Sequence, residues 1–397
     1  MGATKRAACI GTLAVVVLTG LLTFAAPGTA GAGGSSWVQV SAGASHTCAI
    51  RADGRLFCWG DDSLHQLGDG GTNAGQSVPT EVAGDRVDWV QVSAGQDHTC
   101  ARTADQQLYC WGSDNAGELG DGGPDADQKE PVLVAGGIVD WTDVSAGAHR
   151  TCGVRATGQL LCWGSDAFGG PLGNGGANVD EDTPVPVAGG ATNWADVEAG
   201  GDYHVCAIKT TGRLFCWGYD RYGQLGDGGT NVSRHTPQVI NRDATNWAEV
   251  SLGARHTCGR KQSGRLFCWG SNALGQLGTG DGRLVERQRP VLVAGSATWT
   301  TVAAGGEGTC AVRISGRAYC WGDDRYGQVG DGTARVSRST PSRVSSDALD
   351  WAALDVGGGH ACGRQATARL FCWGNDATGA VGDGGTDTDQ PEPVEVA

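Results

Sequence analysis

Short apolar segments alternate with polar, glycine-rich segments along most of the chain, and their order returns seven times. In the first unit, Trp37 to Ser41 alternates apolar and polar side chains, which is typical of a short strand. Two more extended runs, His46 to Arg51 and Arg55 to Gly60, flank Asp53-Gly54, where glycine can supply the positive φ of a tight hairpin. A fourth run, Pro79 to Val82, follows a polar loop. The pattern therefore predicts four strands per unit.

The period of the repeat identifies the architecture. The tryptophans that open the units are 52 or 53 residues apart and fall at Trp37, Trp89, Trp141, Trp194, Trp247, Trp299 and Trp351. A period of this size indicates a propeller or a solenoid. We predict an all-β, seven-bladed propeller of four-stranded antiparallel blades over residues 33–397. The final segment, PEPVEVA, matches residues 78–83, so we predict that this last strand joins the first blade and closes the ring.

Each hairpin carries two cysteines ten positions apart. Placed opposite each other in an antiparallel pair, they bring their Cα atoms to about 4.5 Å, which a disulfide tolerates. The same register predicts three more facing pairs, Thr47 with Trp59, Ala49 with Phe57 and Ile50 with Leu56. Metal binding is the alternative, but the spacing differs from the Cys-x-x-Cys of zinc sites. We predict one disulfide per blade: Cys48 to Cys58, Cys100 to Cys110, Cys152 to Cys162, Cys206 to Cys216, Cys258 to Cys268, Cys310 to Cys320 and Cys362 to Cys372.

The N-terminal residues differ from the repeats. Lys5 and Arg6 precede an apolar run from Ala7 to Ala26, and small residues follow at positions 30–32. We predict a cleaved secretory signal over residues 1–32 and a secreted, extracellular protein. The run of about 20 residues is also long enough to span a bilayer, so an uncleaved membrane anchor is the alternative. The fourteen cysteines that remain without Cys9 are an even, patterned set, which supports export.

Charge bears on the class of partner. The formal net charge is −14, or about −16 without Lys5 and Arg6, and no run of the repeats concentrates basic residues. Binding to nucleic acid requires clustered Lys and Arg that displace counterions. We therefore expect no nucleic-acid partner.

Three recurring residue types admit both a functional and a structural interpretation. Histidines recur two positions before the first cysteine of a pair: His46, His98, His204, His256 and His360. They could bind a metal, but equivalent atoms of adjacent blades are too far apart to share one metal ion. We therefore expect each histidine to bond to the backbone of the neighbouring blade. Loop aspartates could bind calcium, and Asx turns are the structural alternative. The tryptophans could stack on sugars, but their regular spacing indicates packing between blades. We predict no metal and no cofactor.

These motifs resemble the regulator of chromosome condensation repeat family. The matching segments of the first unit are Gly43 to His46, Gly54 to Phe57, Trp59-Gly60 and Gln66-Leu67-Gly68. The resemblance implies a seven-bladed β-propeller. The family includes a nuclear exchange factor that uses a protruding wedge and a basic contact to chromatin, and this chain has neither, so we do not expect guanine-nucleotide exchange. An exported relative that holds an enzyme with loop aromatics indicates that a binding role is possible.

The sequence contains no catalytic motif, and we expect a non-enzyme. We predict a non-catalytic extracellular binding scaffold, a monomer, that contacts a protein partner through loops on one face of the propeller. The alternative is a lectin-like propeller that binds carbohydrate or the cell wall through several weak sites. The candidate partner-binding residues are Phe168, Asp220, Arg221, Tyr222, Asp324, Arg325 and Tyr326.

Overall fold

The structure, a computed structural model, describes residues 36–397 except 177, 230, 241–243, 334 and 386. The predicted signal peptide at residues 1–32 lies outside the described residues. In the described part of the chain, twenty-eight strands form seven antiparallel sheets, each built from four consecutive strands. The predicted all-β, seven-bladed propeller with four-stranded blades is therefore confirmed. None of the described segments is a helix of the length and apolar character needed to cross a bilayer.

The first four blades follow one another in chain order. Blade 1 contains β1 (Trp37–Ala42), β2 (His46–Arg51), β3 (Leu56–Gly60) and β4 (Gln76–Glu81). Blade 2 contains β5 (Trp89–Ala94), β6 (His98–Thr103), β7 (Leu108–Gly112) and β8 (Gln128–Leu133). Blade 3 contains β9 (Trp141–Ala146), β10 (Arg150–Arg155), β11 (Leu160–Gly164) and β12 (Glu181–Pro186). Blade 4 contains β13 (Trp194–Glu198), β14 (His204–Lys209), β15 (Leu214–Gly218) and β16 (Arg234–Val239).

The last three blades repeat the same order. Blade 5 contains β17 (Trp247–Leu252), β18 (His256–Lys261), β19 (Leu266–Gly270) and β20 (Arg287–Leu292). Blade 6 contains β21 (Trp299–Gly305), β22 (Gly308–Arg313), β23 (Ala318–Gly322) and β24 (Arg338–Arg343). Blade 7 contains β25 (Trp351–Val356), β26 (His360–Gln365), β27 (Leu370–Gly374) and β28 (Gln390–Glu395).

The first strand of each blade lines a central channel of about 400 Å³, and the fourth strand forms the outer rim. We call the face at residues 43–45 of blade 1, and at the equivalent positions, the upper face. The face at the hairpin turn of residues 51–55, and at its equivalents, is the lower face. Every rim strand carries a proline at its fourth position: Pro79, Pro131, Pro184, Pro237, Pro290, Pro341 and Pro393.

The predicted hairpin register is confirmed. Cys48 faces Cys58, and the three other predicted pairs of blade 1 also face each other. All seven cysteine pairs are bonded, with Cα atoms 4.0–4.1 Å apart. Two hairpins have Gln106 and Ala368 where the other turns have glycine, and both residues adopt a left-handed backbone, with φ of 65° and 64°. That conformation is unfavourable for a residue with a Cβ atom.

The predicted closure of the ring by the last strand is wrong. Strand β28 pairs with β27 of its own blade, through Cys372 and Val394, and not with the first blade. The physical reason is that the chain enters blade 1 at its innermost strand, so each repeat already supplies one complete blade. The ring closes by blade-to-blade contacts instead: Trp37 N donates to Ala368 O at 3.0 Å, and Gly358 N donates to Gly43 O at 3.1 Å.

Adjacent blades are joined by the recurring histidines and tryptophans. The Nε2 atom of His46 lies 2.9 Å from the hydroxyl of Thr99 in the next blade, and that hydroxyl donates to Gln66 O. Trp111 Nε1 donates to the same carbonyl at 3.0 Å. The histidines therefore reach the neighbouring blade as expected, but they bond to a threonine hydroxyl and not to the backbone. The tryptophans are buried, as predicted for packing between blades.

Candidate partner-binding site

The upper face of blades 3 and 4 carries a run of neighbouring aromatic side chains. The ring of Phe168 is 63% exposed and lies 4.6 Å from Tyr203. Tyr203 lies 6.2 Å from Tyr219, which in turn lies 6.5 Å from Tyr222, all between ring centroids. His149 flanks Tyr203 at 6.5 Å. We call these five residues the aromatic surface.

The repeat is locally altered beneath this surface. Arg150 occupies the position of the recurring histidine, and Val205 occupies that of the threonine that the histidine would contact. Arg150 is fully buried, and its guanidinium donates to Ala199 O at 3.3 Å and to Asp202 O at 2.5 Å. Burial lowers the pKa of Arg150 to about 10, so the group stays cationic at neutral pH. Arg150 thus supports the segment 199–203 that carries Tyr203.

Two one-residue insertions, one in blade 3 and one in blade 4, both lie in segments that carry the aromatic surface. The residue at position 201 lengthens the turn before Tyr203. In the loop that carries Phe168, the Leu172 N–H donates to the Asp166 carboxylate six positions earlier, whereas the equivalent hydrogen bond of blade 1 spans five positions. Phe168 itself has a left-handed backbone, with φ of 61°. Strained backbone and local departures from a repeat are concentrated at functional sites in proteins.

Charged groups border the aromatic surface. The guanidinium of Arg255 lies 5.3 Å from the Tyr222 ring and 3.5 Å from the Asp202 carboxylate. His149 lies 3.6 Å from the carboxylate of Glu118. Burial raises the pKa of Glu118, but hydrogen bonds from His149 and from backbone amides outweigh that effect and the net shift is downward. The surface therefore combines aromatic rings with fixed charges of both signs, a composition common in protein-binding sites.

Five of the seven predicted partner-binding residues lie at the surface, in two separate places. Phe168 and Tyr222 belong to the aromatic surface, and Arg221 is exposed next to it. Arg325 and Tyr326 occupy the equivalent loop of blade 6. Tyr326 makes no ring contact with another aromatic residue of the described chain, and Arg325 pairs with Asp323 at 2.8 Å.

The structure places Asp220 and Asp324, two of the predicted partner-binding residues, below the surface of their loops. Both are only 1% exposed, and each accepts the backbone N–H of a residue five positions later, Leu225 or Val329. Burial raises the pKa of Asp220 to about 6. These carboxylates stabilise the loop as Asx-type caps. No group of three or more His, Cys, Asp or Glu in the described part of the chain is arranged to hold a metal.

Sequence reasoning missed Tyr203, His149 and a set of channel carboxylates. The inner strands place Asp143, Asp196, Glu198 and Asp355 toward the central channel, and the charge of Glu249 acts on this group. Three of them bridge blades: Asp143, Glu249 and Asp355 accept the backbone N–H of Val197, Val302 and Ala42. Burial, followed by the charges of Asp143 and Glu249, raises the pKa of Asp196 to about 7.

Comparisons with known proteins agree with this architecture. The family model described as the RCC1-like domain matches residues 18–363. The chain is 29% identical to the ultraviolet-B receptor UVR8 of Arabidopsis thaliana over 365 residues, which cover 90% of this chain and 81% of the receptor. It is 28% identical to the human E3 ubiquitin-protein ligase HERC2 over 75% of this chain, which corresponds to only 6% of that ligase. Among solved structures, Prp20p of Saccharomyces cerevisiae superposes with a TM-score of 0.75 at 20% identity, covering 88% of this chain and 87% of that one.

Proposed function

The chain belongs to the RCC1-like domain family, and we propose that it is a non-catalytic, extracellular binding scaffold that holds a protein partner on its aromatic surface. One observation carries the proposal. The two insertions of the repeat and the one replacement of the histidine by arginine all occur where four aromatic rings meet on the upper face. The repeat therefore departs from its pattern where these side chains are exposed.

The chemistry of the surface favours a protein as the partner. Tyr and Phe rings beside arginines are the side chains that most often dominate binding energy at protein interfaces. Within the same fold, Prp20p binds Gsp1p and histones, so a propeller of this type can act as a protein-binding scaffold. The seven buried disulfides support an oxidising, extracellular setting.

The lectin alternative receives less support. A propeller with equivalent sugar sites in every blade would need an exposed ring at the same position of each blade, because stacking on a sugar requires an open aromatic face. The fourteen tryptophans are the only aromatic residues that recur in all seven units, and they are buried between the blades. The aromatic surface involves only blades 3 and 4, which suits one asymmetric partner.

A crosslinking experiment tests the proposal. A photoreactive residue in place of Tyr219 would be used to capture and identify the partner of the exported protein, and its affinity would then be measured with purified components. Phe168→Ala, Tyr203→Ala and Tyr222→Ala should each weaken binding by tenfold or more, since central aromatic anchors contribute about 2 kcal/mol. Tyr326→Ala is the matched control and should leave the affinity unchanged. Equal affinity in all four variants would refute the aromatic surface as the binding site.

A further inference from the structure

The fifth residue of the inner strand joins adjacent blades in five of the seven blades. Its side-chain oxygen accepts a backbone N–H of the next blade at 2.9–3.0 Å, and the five residues are Ser41, Ser93, Ser145, Ser251 and Asp355. Blade 4 has Glu198 at this position. Within the described part of the chain, the Glu198 carboxylate accepts no hydrogen bond and forms no ion pair. It lies deep inside the ring and is enclosed by protein except on the side that faces the channel. Glu198 is therefore an unpartnered carboxylate aimed into the channel.

The third residue of the same strand is also free of its usual contact. At this position, Asp143 and Glu249 accept the backbone N–H of Val197 and Val302 in the next blade, both at 3.2 Å. Asp196 bonds to the N–H of Val197 beside it, and the described chain shows no bond from its carboxylate to blade 5. Residues two positions apart on a strand point to the same side, about 6.7 Å apart. Blade 4 therefore directs two carboxylates into the channel, and neither holds the next blade.

The channel supplies no positive charge to these carboxylates. Of the described residues that line it, none is Lys, Arg or His. The Asp143 carboxylate lies 3.2 Å from the N–H of Val197, which stands between Asp196 and Glu198, so three carboxylates meet where blades 3 and 4 join. Burial, followed by the charges of Asp196 and Asp143, raises the pKa of Glu198. Like charges held together in a buried site are unfavourable without a cation, so a bound cation would relieve their repulsion.

The arrangement fits separated charges better than a single metal ion. A metal requires several ligands at one point, and no three His, Cys, Asp or Glu of the described chain converge in this way. The two carboxylates of blade 4 instead follow each other along the strand, and valine, alanine and glycine line much of the remaining wall. The volume of about 400 Å³ lies in the range of small-molecule sites. Ammonium groups joined by methylene segments match this alternation of carboxylates and apolar surface.

We propose that the central channel binds a linear aliphatic polyamine, with one ammonium group on Glu198, a second on Asp196, and the methylene chain against the small apolar residues of the inner strands. Hydrogen bonds between ammonium and carboxylate are charge-assisted, and the surrounding protein strengthens them by excluding water. The channel lining extends to Gly43 and Ala44, so the site reaches the upper face. The site requires no protein partner and is separate from the aromatic surface.

Isothermal titration calorimetry of the full chain with spermidine tests the proposal. One saturable site per chain is expected. Glu198→Gln should weaken binding at least tenfold, because a charge-assisted hydrogen bond is lost. Glu130→Gln, at an exposed position of a rim strand, removes the same charge from the chain and should leave the affinity unchanged. Near-UV circular dichroism would verify the fold of both variants, which is expected to persist because Glu198 makes no bond to the next blade. Equal affinity in the two variants would overturn the proposal, since spermidine would then respond only to net charge.

Competing ligands test the chemical class. Butylamine has a single ammonium group and should bind at least tenfold more weakly than spermidine. Calcium at the same concentration as spermidine should not displace it. Displacement by calcium, or equal affinity for the two amines, would overturn the assignment of separate ammonium groups to Glu198 and Asp196. Phe168→Ala should retain spermidine binding, so the result does not depend on the protein partner, and a loss of binding in this variant would overturn the channel as the site.

Discussion

His360 of the last blade and Thr47 of the first blade form a side-chain hydrogen bond across the junction that closes the ring, at 2.8 Å. The same bond recurs between blades wherever both residue types are present. Where the histidine is replaced, at Arg150 and Gly308, the facing threonine is replaced too, by Val205 and Ala361. The two positions therefore change together within this one chain, which shows that they act as a pair.

A double-mutant cycle on this pair should give a coupling energy of about 1–2 kcal/mol. Each Thr hydroxyl donates to a carbonyl, so the His360 Nε2–H must donate to Thr47, and Thr47→Val leaves that buried donor unsatisfied. Unfolding free energies of His360→Ala, Thr47→Val and the double variant would be measured in denaturant. The control cycle combines His360→Ala with Thr257→Val, which lies in blade 5 and should be additive. Additivity in the first cycle would contradict the pairing.

The double variant Arg150→His with Val205→Thr should keep the fold and lose the partner. The substitutions restore the pair found at five other blade junctions, so the melting temperature should stay within a few degrees of the original. They also remove the guanidinium that supports residues 199–203. The affinity for the partner identified by crosslinking should fall at least tenfold, as measured by titration with the purified partner. Retained affinity would show that Tyr203 is positioned without Arg150.

Gln106→Gly should stabilise the protein by about 0.5–1 kcal/mol. The left-handed backbone of Gln106 costs about 1–2 kcal/mol for a residue with a side chain, and the greater flexibility of glycine in the unfolded chain offsets part of that. Gly212→Ala is the control and should destabilise the protein, because Gly212 has a φ of 72° and an added Cβ would lie 2.4 Å from the Thr245 carbonyl oxygen. Denaturant midpoints with the disulfides intact would report both changes, and a lower midpoint for Gln106→Gly would contradict the strain.

The contribution of the channel carboxylate Asp196 to stability should decrease between pH 4 and pH 8. The pKa of Asp196 is raised from 3.8 to about 7 in the folded state, so the folded protein binds this proton more tightly than the unfolded chain does. The stabilisation is complete at low pH and is lost as the pH rises through about 7. Asp196→Asn should therefore raise the unfolding free energy increasingly with pH, by about 2 kcal/mol at pH 8. Thermal unfolding across this range should show no such trend for Asp125→Asn at an exposed position.

The intact mass of the exported protein should show seven disulfides and the loss of residues 1–32. Reduction should add one hydrogen per cysteine for the fourteen paired cysteines. Alkylation before reduction should label none of them. Retention of residues 1–32 would indicate an anchor in place of a cleaved signal, and free thiols would contradict the extracellular assignment.

The hairpins could be predicted from the sequence because their determinants are local. Once Cys48 was placed opposite Cys58, the alternation of side chains fixed every other pair of the hairpin. Closure of the ring could not be derived in this way. The similarity of the last strand to β4 shows only that both are rim strands, and it does not distinguish a blade completed in place from one shared between the chain ends.

The site could be predicted only in part, because its members come from different repeats. Phe168 and Tyr222 are conspicuous as aromatic residues outside the repeated positions, whereas Tyr203 is recognisable only through the insertion before it and through Arg150. The buried state of Asp220 was not evident, since a loop aspartate looks the same in sequence whether it caps a turn or meets solvent.

The prolines of the rim restrict how this molecule can associate. A proline has no N–H to offer to an added strand, and each of the seven outermost strands has lost one donor in this way. A strand of another chain that paired with any of these edges would therefore form an interrupted hydrogen-bond ladder. Binding by strand addition is therefore disfavoured around the whole rim, and partners are left with side-chain contacts, for which the loops of the two faces are open.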